Sequence, residues 1–185
     1  MELNKPMSGE DRKKKYMEEK PSFFYDNSER DEAEILLDFY LSFTLRCAVE
    51  HPNINPLVRE YARRVLFFLM QDEISYEMTD QVKIIDVRTW KQWERIDLVA
   101  EVEIEVAGEL KYYAIIFENK LFTSAHHDQL NRYKICTENY YVKHPVKSNY
   151  KRLYLFVTCH DDIPEPDLEA CIEADYRAIS FQDIR

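Results

Sequence analysis

The segment YYAIIFENKLFTSAHHDQLNRYK, Tyr112 to Lys134, decides how the chain is read. Its first half is an apolar run rich in aromatic and β-branched residues, the composition of a buried strand. That strand ends in Glu118-Asn119-Lys120. A carboxylate and an ammonium two residues apart project from one face, about 6.8 Å apart along the strand. The second half reads as a helix, roughly Ser124 to Val142. It sets Gln129 and Tyr133 at i, i+4, with Arg132 beside them, so one face carries an amide, a phenol and a guanidinium.

Working outward, five strand candidates appear: Gln81–Trp90, Arg95–Val106, Leu110–Lys120, Lys151–Thr158 and Tyr176–Phe181. Two helices precede them. Arg30–His51 has helical apolar spacing and acids in its first turn, where the helix dipole favours them. Leu57–Met70 places Leu57, Tyr61, Val65, Phe68 and Leu69 on a core-facing stripe. The expected order is α-α-β-β-β-α-β-β, an α/β fold with a central sheet flanked by helices. Residues 1–28 are charged and bounded by Pro6 and Pro21. They read as a mobile arm ahead of a single domain, residues 29–185.

In the second strand, Ile96, Leu98, Ala100, Val102, Ile104 and Val106 alternate with Arg95, Asp97, Val99, Glu101, Glu103 and Glu105. Alternation of period 2 gives one buried and one more polar face, and Asp97 lies on the second. Ala107-Gly108-Glu109 reads as a hairpin turn. With Gly108-Glu109 as the turn residues, Asp97 falls opposite Lys120; with Ala107-Gly108, it falls opposite Glu118. Either two-residue turn brings Asp97, Glu118 and Lys120 together, whereas a three-residue loop reverses the parity. Two carboxylates this close repel unless a cation lies between them. An open cluster of oxygen ligands suits Mg²⁺ or Mn²⁺. Lys120 is then placed to orient the attacking water or to neutralise charge developing on a phosphate.

Composition removes other classes. Only 2 glycines occur in 185 residues, so no Gly-rich phosphate loop is available. The N-terminal sequence has no apolar signal core and no run is long enough to cross a bilayer, which predicts a cytoplasmic protein without a membrane partner. Cys47, Cys136, Cys159 and Cys171 form no CxxC pair and are expected to be reduced. Cys159-His160 with His126-His127 matches no known zinc spacing. The net charge of −10 argues against a protein that coats nucleic acid. The distribution is uneven: residues 121–152 hold six basic residues and two acidic ones, and residues 161–175 hold seven acidic residues and no basic one. The basic stretch flanks the candidate site.

Taken in order, Arg95-Ile96-Asp97, Glu118-Asn119-Lys120 and Gln129-Leu130-x-x-Tyr133 resemble the PD-(D/E)XK nuclease superfamily, most of all a bacterial group with an E-N-K strand and a Q-L-x-R-Y helix. KRLYLFVT (Lys151–Thr158) and YRAISFQDI (Tyr176–Ile184) resemble that group's later strands. The resemblance implies a restriction-endonuclease-like core with a mixed sheet, Mg²⁺ or Mn²⁺, and hydrolysis of DNA, less often RNA. It further implies Asp97, Glu118 and the Asn119 backbone carbonyl as metal ligands and Lys120 as the catalytic lysine. Gln129 and Tyr133 would support them. Many members add a helix glutamate, for which Glu60 and then Glu73 are the candidates here. Ile96 stands where the motif has proline, and the chain stops soon after the last strand, as a short version or fragment would. A nuclease-fold binding or assembly module that has lost activity is the alternative, and the aromatic-rich helices suit a homodimer.

Overall fold

The computed structural model describes residues 30–120, 128–160 and 162–184. Helices α1 (Arg30–Arg46) and α2 (Pro56–Leu69) come first, followed by β1 (Val82–Trp93), β2 (Ile96–Val106) and β3 (Glu109–Lys120). Then come α3 (Gln129–Lys143), β4 (Lys151–Thr158), α4 (Glu165–Ala174) and β5 (Arg177–Ser180). The strands form one sheet in the order β1-β2-β3-β4-β5. β1, β2 and β3 are antiparallel neighbours, whereas β4 runs parallel to both β3 and β5. This mixed sheet flanked by helices is the α/β arrangement the sequence pattern implies. The expected arm at residues 1–28, the start of the expected helix at Ser124, and His126-His127 lie outside the described residues.

Helix α4 is absent from the expected order. It is 10 residues long, opens on prolines and is crowded with acids, and only Asp167, Cys171 and Ala174 are buried. Two parallel strands need a crossover, and α4 supplies it between β4 and β5. Helix α2 starts with Asn55, whose side chain accepts from the Leu57 N–H at 2.9 Å, and with proline at the first helical position. Its buried stripe is Ala62, Val65, Leu66, Phe67 and Leu69. Leu57 and Tyr61, expected in that stripe, are exposed, and Phe68 is half-buried. The core face is therefore centred on Ala62-Val65-Leu66-Leu69, the i, i+3, i+4, i+7 set.

The hairpin joining β2 and β3 settles the register. Val106 pairs with Glu109, and Ala107 and Gly108 both take left-handed φ angles, 53° and 82°. That is the signature of a two-residue turn whose twist matches the strands. One apolar layer lies between the sheet and α1 and α2, with Leu98, Ile115 and Phe117 at its centre. The other lies under α3 and α4, with Val99, Ile116, Phe156, Leu130 and Tyr133. All four cysteines are free thiols. Among the described residues, no helix is long and apolar enough to cross a membrane.

Candidate active site

Leu98 pairs with Phe117, so one further step along the ladder sets Asp97 level with Glu118. The Asp97 carboxylate accepts from the Asn119 backbone N–H at 2.8 Å, and the Gln92 amide lies 3.4 Å from its other oxygen. Glu118 is fully buried. Its Oε1 lies 2.8 Å from Lys120 Nζ, whose side chain is 12% exposed. The same oxygen accepts from the Gln129 amide at 2.7 Å. That amide also donates to the Tyr133 hydroxyl at 3.0 Å. The structure thus gathers the acid of β2, the acid and amine of β3, and the amide and phenol of α3.

Helix α3 can deliver those two side chains because its buried face is a regular stripe: Gln129, Leu130, Tyr133, Thr137 and Tyr141. Thr137 is held inside by donating to the Tyr133 carbonyl at 2.9 Å, and its hydroxyl lies 3.0 Å from that of Tyr154. Lys134 pins α3 to the end of α4 through the Ala174 carbonyl at 3.1 Å and Asp175 at 3.0 Å. Arg132 stands outside the cluster, exposed, with its guanidinium 5.3 Å from the Tyr133 ring.

The helix glutamates are not brought to the cluster. Glu60 lies on the exposed side of α2, paired with Arg64 at 3.1 Å, an ordinary i, i+4 surface ion pair. Glu73 follows α2 and pairs with Lys151 at 2.7 Å, at the start of β4, the opposite end of the sheet. The helical acid near the site is Asp38 of α1. It is 4% exposed and accepts from the Asn119 side-chain amide at 2.6 Å. Burial lifts its carboxyl to about 7; the Asn119 hydrogen bond opposes the rise and the nearby Asp97 charge adds to it. The sequence held a signal for this. Asp38 sits one helical turn from Leu41 and Ser42, on the side that α1 buries.

As a donor set, Asp97, Glu118 and the Asn119 carbonyl are all oxygen, with Asp38 behind them, which fits Mg²⁺ or Mn²⁺ and not a thiolate-seeking metal. Among the described residues, no group of three or more His, Cys, Asp and Glu side chains is placed to hold a metal ion.

An α/β sheet that ends in two acids and an amine, backed by a helix amide, defines a class of candidate hydrolytic sites. A family model of the PD-(D/E)XK nuclease superfamily matches residues 24–185, and the chain belongs to that superfamily. No curated protein matches the chain. Among solved structures, it is similar to the MspJI restriction endonuclease in complex with a 27-mer oligonucleotide. Identity there is 12% and the TM-score 0.31, over 86% of this chain and 32% of that one. The present chain thus spans about a third of the length of that neighbour.

Proposed function

We propose that the protein is a metal-dependent nuclease that hydrolyses phosphodiester bonds of nucleic acid, DNA in preference to RNA. It would belong to the group with an E-N-K strand and a Q-L-x-R-Y helix. The observation that carries this reading is the buried Lys120–Glu118 pair, with Asp97 bonded to the backbone of the residue between them. Asp97, Glu118 and the Asn119 carbonyl would hold the ion. When bound, a divalent ion supplies positive charge to the phosphoryl oxygens and acidifies water. Gln129 fixes the Glu118 carboxylate in one rotamer, and Tyr133 in turn fixes the Gln129 amide. Lys120 holds its ammonium where it orients the incoming water or offsets charge on the phosphate. Water attacks phosphorus in line and gives up a proton to solvent, the bond to the leaving oxygen breaks, and the leaving oxygen takes a proton from solvent.

The test is Mn²⁺ binding by calorimetry, wild type against Asp97→Asn, with Mg²⁺-dependent cleavage of single- and double-stranded DNA and RNA. Binding that Asp97→Asn weakens at least tenfold, and cleavage abolished by EDTA and by Lys120→Ala, are the expected results. Cleavage that survives either change overturns the mechanism. No heat of Mn²⁺ binding together with no cleavage leaves the inactive binding module. Exposed Ile35, Leu36, Phe39 and Phe43 on α1 support the homodimer reading, which sedimentation of the full chain decides.

A further inference from the structure

Both tryptophans of the chain, Trp90 and Trp93, line one pocket of about 230 Å³ together with Glu101, Tyr140, Tyr141 and Lys147. Trp93 meets Tyr140 edge-on, with ring centres 4.8 Å apart. The Lys147 ammonium lies 5.2 Å from the Trp90 ring and 5.4 Å from the Tyr140 ring. At the base of the pocket Glu101 is 1% exposed. Its Oε1 accepts from Lys147 at 2.6 Å and from the Tyr141 hydroxyl at 3.0 Å. Its Oε2 lies 4.0 Å from Arg88 Nη2 and accepts no hydrogen bond among the described residues. That oxygen is sealed from solvent on the Arg88 side, so the charged group the pocket offers a ligand is the Lys147 ammonium, whose side chain is 26% exposed.

We propose that this pocket holds one unpaired nucleobase of a single-stranded nucleic-acid segment, stacked on the tryptophan and tyrosine rings and accepting from the Lys147 ammonium through a base carbonyl. Flat aromatic walls accept any base, because every base has a π face. The Lys147 ammonium can donate to a base carbonyl, as cytosine offers at O2, and its like charge disfavours a cationic ligand. Position agrees with this occupant. Glu101 follows Asp97 by four residues along β2 and projects from the same side, so the pocket floor lies about 13 Å from the candidate metal ligand. At about 3.4 Å per stacked nucleotide, that spans roughly four nucleotides of one strand. The inference rests on the nucleic-acid reading above and names the state of its substrate.

The experiment measures binding without cleavage. In EDTA, the full chain is titrated with a deoxycytidine hexamer, with an abasic deoxyribose-phosphate hexamer, and with a blunt duplex of self-paired DNA. Tryptophan emission reports on this pocket alone, because the chain has no other tryptophan. Saturable quenching by the deoxycytidine hexamer, at least tenfold tighter than with the other two, is expected. Trp90 is 39% exposed, so Trp90→Ala removes a wall with little risk to folding; by fluorescence anisotropy of labelled hexamer it should weaken binding about tenfold, the size of one lost stacking contact. Equal binding of the abasic hexamer, or wild-type affinity in Trp90→Ala, overturns the proposal. Quenching without any cleavage in Mg²⁺ removes the nuclease reading and keeps the pocket; cleavage without quenching does the reverse.

Discussion

Removing the Lys120 ammonium tests the site before its substrate is known. Lys120 Nζ lies 2.8 Å from a carboxylate that is fully buried, and Lys120→Ala takes that ammonium away while the Gln129 amide stays. Breaking a buried ion pair from one side costs about 3–5 kcal/mol. The carboxylate can escape part of this by taking up a proton. Holding an ordinary glutamic acid protonated at pH 7 costs about 4 kcal/mol, which caps the penalty. The two bounds leave roughly 3–4 kcal/mol at pH 7 in metal-free buffer. Protonation becomes easier in acid, and the cap falls by about 1.4 kcal/mol per pH unit, to about 1 kcal/mol near pH 5. The deficit of the variant therefore grows as pH rises. Urea denaturation of wild type and Lys120→Ala in EDTA at pH 5 and pH 7 measures both values. A deficit under about 1 kcal/mol at pH 7, or one that does not shrink in acid, would refute the buried pairing.

Asp38 gives a second pH signature. Its folded carboxyl titrates at about 7, above the unfolded value, so the protonated acid stabilises the fold fully below about pH 4 and that contribution, at most about 4 kcal/mol, is lost as pH rises through 7. In EDTA, Asp38→Asn should flatten the melting temperature between pH 4 and pH 8, keeping an oxygen for Asn119; an unchanged profile refutes the assignment. Gln129→Ala should lower the cleavage rate at least tenfold with a smaller effect on KM, since it frees the Glu118 rotamer; equal kinetics would show that the amide does not position the acid. Phe117, fully buried under α1 and α2, should cost about 3–5 kcal/mol as Phe117→Ala in urea denaturation, and under 2 kcal/mol would place it outside the core.

The sequence carried the strands and the meeting of the cluster's side chains because period-2 alternation and the spacing of Glu118, Lys120, Gln129 and Tyr133 are local properties. What it left open had tertiary causes. Two hairpin turns were compatible with Ala107-Gly108-Glu109, and the one adopted puts an alanine in the left-handed region, which no propensity favours. The turn between β1 and β2 does the same with Glu94 and Arg95, at φ 52° and 69°. With no glycine or asparagine there, β1 read as ending at Trp90, three residues early. Helix α4 was hidden by its acids, and its need becomes visible only once β4 and β5 are known to be parallel. Asp38 was overlooked because acids inside an apolar helix read as its solvent face. The pocket of Trp90 and Trp93 joins β1, β2 and α3, and no linear pattern announces such a meeting.

β3 explains why side chains so far apart in the chain converge. It has an antiparallel neighbour on one side and a parallel neighbour on the other. Its C-terminal end therefore meets the beginning of β2, which brings Asp97, and the end of β4, where Lys120 pairs with Thr158. Successive side chains of a strand face opposite layers. Glu118 and Lys120 face α3, and Glu118 is held by Gln129; Asn119 faces α1 and donates to Asp38. Asn119 is therefore not a spacer between two functional residues. Its N–H holds Asp97 while its amide holds Asp38, so one residue ties the β2 acid and the first helical layer to the strand that carries Glu118 and Lys120. A turn at Ala107-Gly108 longer by one residue would break this arrangement, because a shift of one position sends Asp97 to the opposite layer from Glu118.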